Sequence, residues 1–217
     1  MYKKKKILGI ILARSGSKRI PNKNILNLCG KPLFYWTILS SRQSKYLDKV
    51  IISTDHKKII KYTKGLSYIK TIVRPKKLAG DKITSAEVIL SLINNIKEKF
   101  DVIVCLQPTS PLRKGFHIDR AVKKMIDNNH KFLVSACYTK SFSRHMIKIQ
   151  KGYFEKRKKN PPGYFLNGAI YAAETSYFKR SKSFLTKKTS IFPMAKSRSI
   201  DIDTIEDFKL AEKKLRN

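Results

Sequence analysis

Six short apolar runs, spaced by segments of helical periodicity, constrain this 217-residue chain more than any other feature. The runs are residues 7–13, 49–54, 69–74, 101–106, 132–138 and 165–172. Runs of this length read as strands buried on both faces. Between them, residues 33–44 follow the turn Gly30-Lys31-Pro32, and residues 56–64 follow Asp55, a cap candidate. Thr84-Ser85-Ala86-Glu87 has the form of a capping box, and Ile89, Leu92, Ile93 and Ile96 then fall on one helical face. Ile118, Ala121, Val122, Met125 and Ile126 repeat that pattern. A last helix is expected to open at residues 203–207 and to turn Ile205, Phe208, Ala211 and Leu215 inward. Strand–helix alternation predicts an α/β fold, a mostly parallel sheet flanked by helices. Such sheets bind ligands beyond the carboxyl ends of their strands, near a switch in strand order. The loops after Ala13, Thr54, Arg74 and Leu106 are therefore expected to share one rim. The length suits a single domain. Only residues 140–163 break the alternation: they are polar, basic and contain Pro161-Pro162-Gly163, and read as an inserted hairpin or flap.

The first run empties into a loop of small and cationic residues: Arg14, Ser15, Gly16, Ser17, Lys18, Arg19 and Lys23. Small residues let backbone N–H groups approach oxygen atoms, and cations neutralise them. The number of cations alone decides nothing. An average eleven-residue window of this chain holds about 2.4 Lys and Arg, and residues 14–24 hold four. Neither a Walker P-loop nor a GxGxxG turn is present. Arg14, Ser17, Lys18 and Lys23 read as a clamp for a triphosphate, with a plain surface loop as the alternative. The net charge of +33 is spread along the chain rather than gathered in a tail or stripe. It implies salt-sensitive sticking to polyanions and no specific nucleic-acid partner. The competing reading is a basic nucleic-acid- or polyanion-binding protein that keeps the fold without catalysis.

Two further segments carry chemistry. Leu106-Gln107-Pro108-Thr109-Ser110-Pro111-Leu112-Arg113 ends a buried strand in a rigid, proline-fixed loop, with Gln107 placed to read a sugar or base edge. In the extended stretch Ser199-Ile200-Asp201-Ile202-Asp203-Thr204, Asp201 and Asp203 share one side. Paired carboxylates suit Mg²⁺ shared with a nucleotide's phosphate oxygens. The plainer reading has Asp203 or Thr204 capping the last helix with Asp207. In residues 165–172, alternation places Asn167, Ala169 and Tyr171 on one face, and Gly168 permits close approach; the plainer reading is an ordinary strand with a bulge. Cys29, Cys105 and Cys137 lack metal-binding spacing and read as reduced thiols of a cytoplasmic protein. The first residues lack the cleavage site of a signal peptide, and no apolar run reaches the ~18 residues of a membrane span.

Taken in order, ILARSGSKRIPNKN, the STD of residues 53–55, RPKKLAGD (74–81), LQPTSPLR (106–113), VSAC (134–137), NGAIY (167–171) and SIDIDT (199–204) resemble the acylneuraminate cytidylyltransferase family. The resemblance runs from about residue 7 to the final helix. It implies a Rossmann-like nucleotidyltransferase fold and transfer of CMP from CTP to a nine-carbon 2-keto sugar acid (sialic, legionaminic or pseudaminic), with release of pyrophosphate. It also implies Mg²⁺ and a homodimer built through the flap. By the same resemblance, Arg14, Ser17, Lys18, Lys23 and Asn24 grip CTP. Arg74 and Ser85 contact the cytidine, Gln107 and Tyr171 the sugar acid, and Asp201 and Asp203 the metal. Arg157 and Phe184 fall in stretches that a partner subunit contributes to the sugar pocket. Where the family often places a lysine after VSAC, this chain offers Lys140, Arg144 and His145 in an altered context.

Overall fold

The computed structural model describes residues 1–17, 19–139, 146–150, 153–156 and 163–216. The first apolar run forms β1 (Ile7–Leu12), followed by the short pair β2 (Asn27–Leu28) and β3 (Lys31–Pro32) and by helix α1 (Leu33–Arg42). β4 (Lys49–Thr54), α2 (Lys57–Thr63), β5 (Ile69–Val73), α3 (Ser85–Asn95), β6 (Val102–Leu106) and α4 (Gly115–Asp127) continue the alternation. Then come β7 (Phe132–Thr139), β8 (Met146–Gln150), β9 (Tyr153–Lys156), β10 (Gly163–Glu174), α5 (Thr175–Ser181), β11 (Thr189–Pro193) and α6 (Ile205–Arg216).

Among the described residues one sheet has the order β5-β4-β1-β6-β10-β7-β11-β9-β8. β4, β1 and β6 pair in parallel with β5 beyond them, β7 and β11 run the same way, and β10 runs against its neighbours β6 and β7. The central strands are apolar on both sides because both sides are covered. Ile7, Ile11, Ile52 and Val104 pack in one cluster with Phe34 and Ile38 of α1 and Ile118 and Val122 of α4. Leu8, Ile10, Ile51 and Ile103 pack in another with Val88 and Ile89 of α3 and Phe178 of α5. Each such fully buried side chain contributes about 1.5–3 kcal/mol. From β1 the chain moves outward to β4 and β5, then returns to place β6 on the other side of β1. That reversal opens a crevice at the carboxyl ends of β1 and β6.

β10 departs from the expected alternation. Its register with β7 shifts between Leu166 and Tyr171, and Gly168 takes φ +70°. The left-handed residue inserts a bulge, so Ala169 packs with Ile170 and Ala172 while Tyr171 packs with the opposite cluster. Asn167, Ala169 and Tyr171 therefore do not share a face. The first half of β10 also pairs with β8. With β9 on β11 and β8 on β9, strands β10, β7, β11, β9 and β8 close into a ring. β8 and β9 fall within the segment expected as an insertion, whose last residue, Gly163, opens β10; its other residues, Lys140, Arg144 and His145 included, lie outside those described.

Three local expectations are corrected. His56, not Asp55, caps α2, its ring accepting from the Lys58 amide. Ile205 is 47% exposed, because the inward face of α6 is set by Phe208, Ala211 and Leu215. β11 and α5 had no counterpart among the expected elements. The Thr84–Glu87 capping box forms. At α6, Asp207 accepts from the Thr204 amide and hydroxyl while Thr204 Oγ1 accepts from the Asp207 amide. Among the described residues no helix is long and apolar enough to cross a membrane.

Candidate functional site

The loop after β1 is held from both sides. The Ser15 amide and hydroxyl donate to the Asp55 carboxylate, at 2.7 and 2.5 Å. Burial raises the proton affinity of Asp55, but these bonds and the nearby Arg74 charge bring it below the usual carboxylate range. Asn24 Nδ2 donates to the Arg14 carbonyl at 2.9 Å. Lys23 Nζ reaches across to the segment before α6, donating to the Ile202 carbonyl at 2.6 Å and pairing with Asp203 at 3.3 Å. The amino-terminal Lys23 and the carboxy-terminal Asp203 thus meet at one place.

They line a cleft of about 480 Å³ that includes Arg14, Ser17, Arg19, Asn24, Gln107 and Asp203. Two further chambers adjoin it. One of about 220 Å³ is lined by Arg14, Arg74, Asp81 and Ser85. The other, about 330 Å³, is lined by Ser85, Gln107, Tyr171, Lys182, Phe184 and Leu185. Ser85, the first residue of α3, borders all three. Arg74 is buried and donates to the Ser53 carbonyl at 3.0 Å and to Ser53 Oγ at 3.3 Å. Burial lowers its pKa, partly offset by Asp55. Arg14 pairs with Asp81 at 3.0 Å.

Asp201 lies over Gly168. A Cβ on that glycine would sit 2.7 Å from Asp201 Oδ2 and 3.2 Å from Gln107 Oε1. The missing side chain is what lets a carboxylate and an amide converge there. The phenol of Tyr171 is pushed above its ordinary pKa by burial, with the Asp201 charge adding. The segment carrying both aspartates is fixed by the Ile202 amide, which donates to the Thr109 carbonyl at 2.8 Å, and by Ile202 itself, buried with Ile20, Leu28 and Leu33.

Arg14, Ser17, Lys23, Asn24, Arg74, Ser85, Gln107, Tyr171, Phe184 and Asp203 are therefore gathered around one connected crevice, while Asp201 lines none of its three chambers and lies against Gly168 beside Gln107. Lys18 and Arg157 lie outside the described residues. Phe184, expected in a stretch offered to a partner subunit, packs within its own chain, 4.5 Å from the Phe178 ring and 5.8 Å from that of Tyr171.

Residues 8–215 match the cytidylyltransferase family. The chain belongs to that family. It is 34% identical, over 92% of its length, to the N-acylneuraminate cytidylyltransferase of Streptococcus agalactiae serotype III, and spans about half (51%) of that relative. It is 31% identical to the pseudaminic acid cytidylyltransferase of Campylobacter jejuni, the match covering 95% of each. It is 32% identical to the CMP-N,N'-diacetyllegionaminic acid synthase of Legionella pneumophila, covering 96% of this chain and 95% of that one. In fold it is similar to a CMP:2-keto-3-deoxy-manno-octonic acid synthetase solved with CTP, with TM-score 0.77 and 16% identity over 97% of this chain and 98% of that one.

Two residues of this cytidylyltransferase-family chain lie in motifs visible in the sequence but take roles that only the fold reveals. Arg113, 1% exposed, donates to the carbonyls of Gln107 (3.1 Å) and Ala169 (2.8 Å) and to Thr37 Oγ1 (2.7 Å) and Ser40 Oγ (3.3 Å). It ties α1, the β6 loop and the β10 bulge together, and burial pushes its pKa down to about 9. Asn167 accepts from Ser135 Oγ at 2.6 Å and donates to Ser199 Oγ at 2.9 Å, linking the bulge to the aspartate segment. Cys105 borders the cleft floor, but burial pushes its thiol up to about 12, so it is no nucleophile. The crevice instead offers charge and position: cations for oxyanions, hard carboxylate oxygens, and an amide beside an aromatic pocket.

Proposed function

We propose that this chain transfers CMP from CTP to the anomeric hydroxyl of a nine-carbon 2-keto sugar acid, forming the CMP-sugar and pyrophosphate. The observation that carries this reading is the meeting of the β1-loop cations with Asp203 in a cleft that opens into two side chambers sharing Ser85. In this reading the triphosphate lies in the central cleft against Arg14, Ser17, Lys18, Lys23 and Asn24. Cytidine occupies the chamber of Arg74 and Ser85. The sugar acid occupies the chamber of Gln107, Tyr171 and Phe184. The relatives named for pseudaminic, legionaminic and N-acylneuraminic acids support that acceptor class.

Attack must come in line with the α-phosphorus, opposite the departing pyrophosphate, so catalysis is mainly positioning and electrostatics. Arg14 and Lys18 neutralise charge on the phosphates, and Gln107 orients the sugar beside Tyr171. Asp201 and Asp203 would hold Mg²⁺. Their hard oxygens suit it, and the side-chain-free position over Gly168 gives the Asp201 carboxylate room. Bound there, the ion supplies further neutralisation of the phosphate oxygens. We further read the chain as one catalytic domain, acting as a homodimer through residues 140–163 with Arg157 reaching the neighbouring sugar pocket. Its three free cysteines favour a cytoplasmic setting.

The test is pyrophosphate release from CTP and Mg²⁺ across a panel of sialic, legionaminic and pseudaminic acids. Release with at least one, and none without acceptor, is the expected result. Asp201→Ala is expected to lower turnover at least about a hundredfold, some 2.7 kcal/mol, with an unchanged circular dichroism spectrum. Near-normal turnover in that variant removes the metal role.

A further inference from the structure

Arg19 has no part in the assignments above, yet it lines the central cleft. Its Nη1 lies 2.5 Å from Asp203 Oδ2, while Lys23 Nζ holds Oδ1 of the same carboxylate at 3.3 Å. The two cations differ in how firmly they are placed. The Lys23 side chain is 12% exposed and also donates to the Ile202 carbonyl at 2.6 Å. It is a strut between the β1 loop and the aspartate segment. The Arg19 side chain is 66% exposed, and an exposed ion pair is weakly held.

Two cations on one carboxylate cancel the charge that a divalent ion would need there. Binding such an ion at Asp203 requires one of them to leave, and Arg19 is the one free to go. A guanidinium released on the cleft wall has an obvious next partner, because its planar fork matches phosphate oxygens. We infer that Arg19 exchanges partners during binding, from the Asp203 carboxylate to the phosphates of a nucleoside triphosphate. Arg19 is thus a triphosphate-binding residue that also sets how readily Asp203 accepts a divalent cation. This rests on the function proposed above.

Equilibrium measurements on the full chain separate the two. CTP affinity is read by calorimetry, and nucleotide-free Mn²⁺ affinity by electron paramagnetic resonance. Arg19→Gln is expected to weaken CTP binding about tenfold. It is expected to tighten nucleotide-free Mn²⁺ binding about threefold. Arg19→Lys, with charge but no fork, should recover part of the CTP affinity. The melting temperature should not move, since the pair is exposed. Unchanged CTP affinity in Arg19→Gln, or weakened Mn²⁺ binding, overturns the exchange while leaving the proposed function standing. A wild-type chain that binds no CTP overturns the function itself.

Discussion

Gly168→Ala probes the floor of the crevice most directly. The glycine has φ +70°, and its Cβ would meet Asp201 Oδ2 at 2.7 Å, Asp201 Cγ at 3.1 Å and Gln107 Oε1 at 3.2 Å. Holding an L-residue in the left-handed region costs about 1–2 kcal/mol. The clashing atoms are ends of side chains, so the carboxylate and amide swing away and the backbone need not follow. For a chain of this size the stability loss corresponds to a fall of about 2–8 °C in Tm. The functional loss is larger in consequence, because displacing a positioned group by about 1 Å costs on the order of a hundredfold in rate. Steady-state pyrophosphate release at saturating CTP and sugar acid, run with a Mg²⁺ titration and a thermal melt, reads both effects. The expected outcome is a modest Tm shift with turnover down about a hundredfold. Turnover within about threefold of wild type, despite the shifted Tm, would refute the reasoning that convergence of Asp201 and Gln107 over Gly168 matters. Gly65→Ala is the control: its Cβ meets nothing within 4 Å, so activity and melting should stay close to wild type.

Gly115→Ala should do the reverse of Gly168→Ala. Its Cβ would lie 2.6 Å from the Gln43 carbonyl carbon and 2.7 Å from its oxygen, wedging α1 from α4. The expected loss is about 1–3 kcal/mol in urea melts, with turnover per folded molecule unchanged. Arg113→Lys should leave the Gln107 and Ala169 carbonyls short of donors, costing on the order of 3 kcal/mol. KM for the sugar acid should rise more than KM for CTP, because Gln107 borders the chamber proposed for the sugar as well as the central cleft, while the Arg74 chamber proposed for cytidine is untouched. Burial, with Arg198, Arg113 and Arg120 nearby, pushes His117 down to about 4 from its ordinary 6.5. The unfolded chain therefore takes up this proton first, so its contribution is complete above about pH 6.5 and is lost as pH falls toward 4, by roughly 3 kcal/mol. Melts at pH 7 and 4.5 should show that fall, and His117→Asn should flatten it.

The fold was legible where burial is two-sided. Ile7–Leu12 and the Val50–Ile52 centre of Lys49–Thr54 are apolar because helices cover both faces, and the strand boundaries are nearly those expected. Thr189–Pro193 escaped because TSIFP is short and mixed in character, and Thr175–Ser181 because it follows β10 directly, with no connecting turn to mark its start. Alternation failed at Gly168, where one left-handed residue reverses which side chains share a face. Asp55 looked like a helix cap because it precedes α2, yet its carboxylate is taken by Ser15 from another strand. That partnership is tertiary and leaves no local mark. Arg113 and Arg19 were hidden for a different reason. In a chain with 48 Lys and Arg, neither one cation more in a loop nor the arginine ending a proline-rich turn stands out. Burial in the first case and a shared carboxylate in the second single them out.

The chamber bounded by Lys182, Phe184 and Leu185 meets the central cleft at Ser85, Cys105 and Gln107. Its outer wall comes from the short connection between α5 and β11, while the central cleft is walled by the β1 loop and Asp203. On the function proposed here, acceptor choice and nucleotide choice are therefore separable traits. Changes in that connection are then expected to retune which sugar is admitted while the machinery proposed to activate it stays constant.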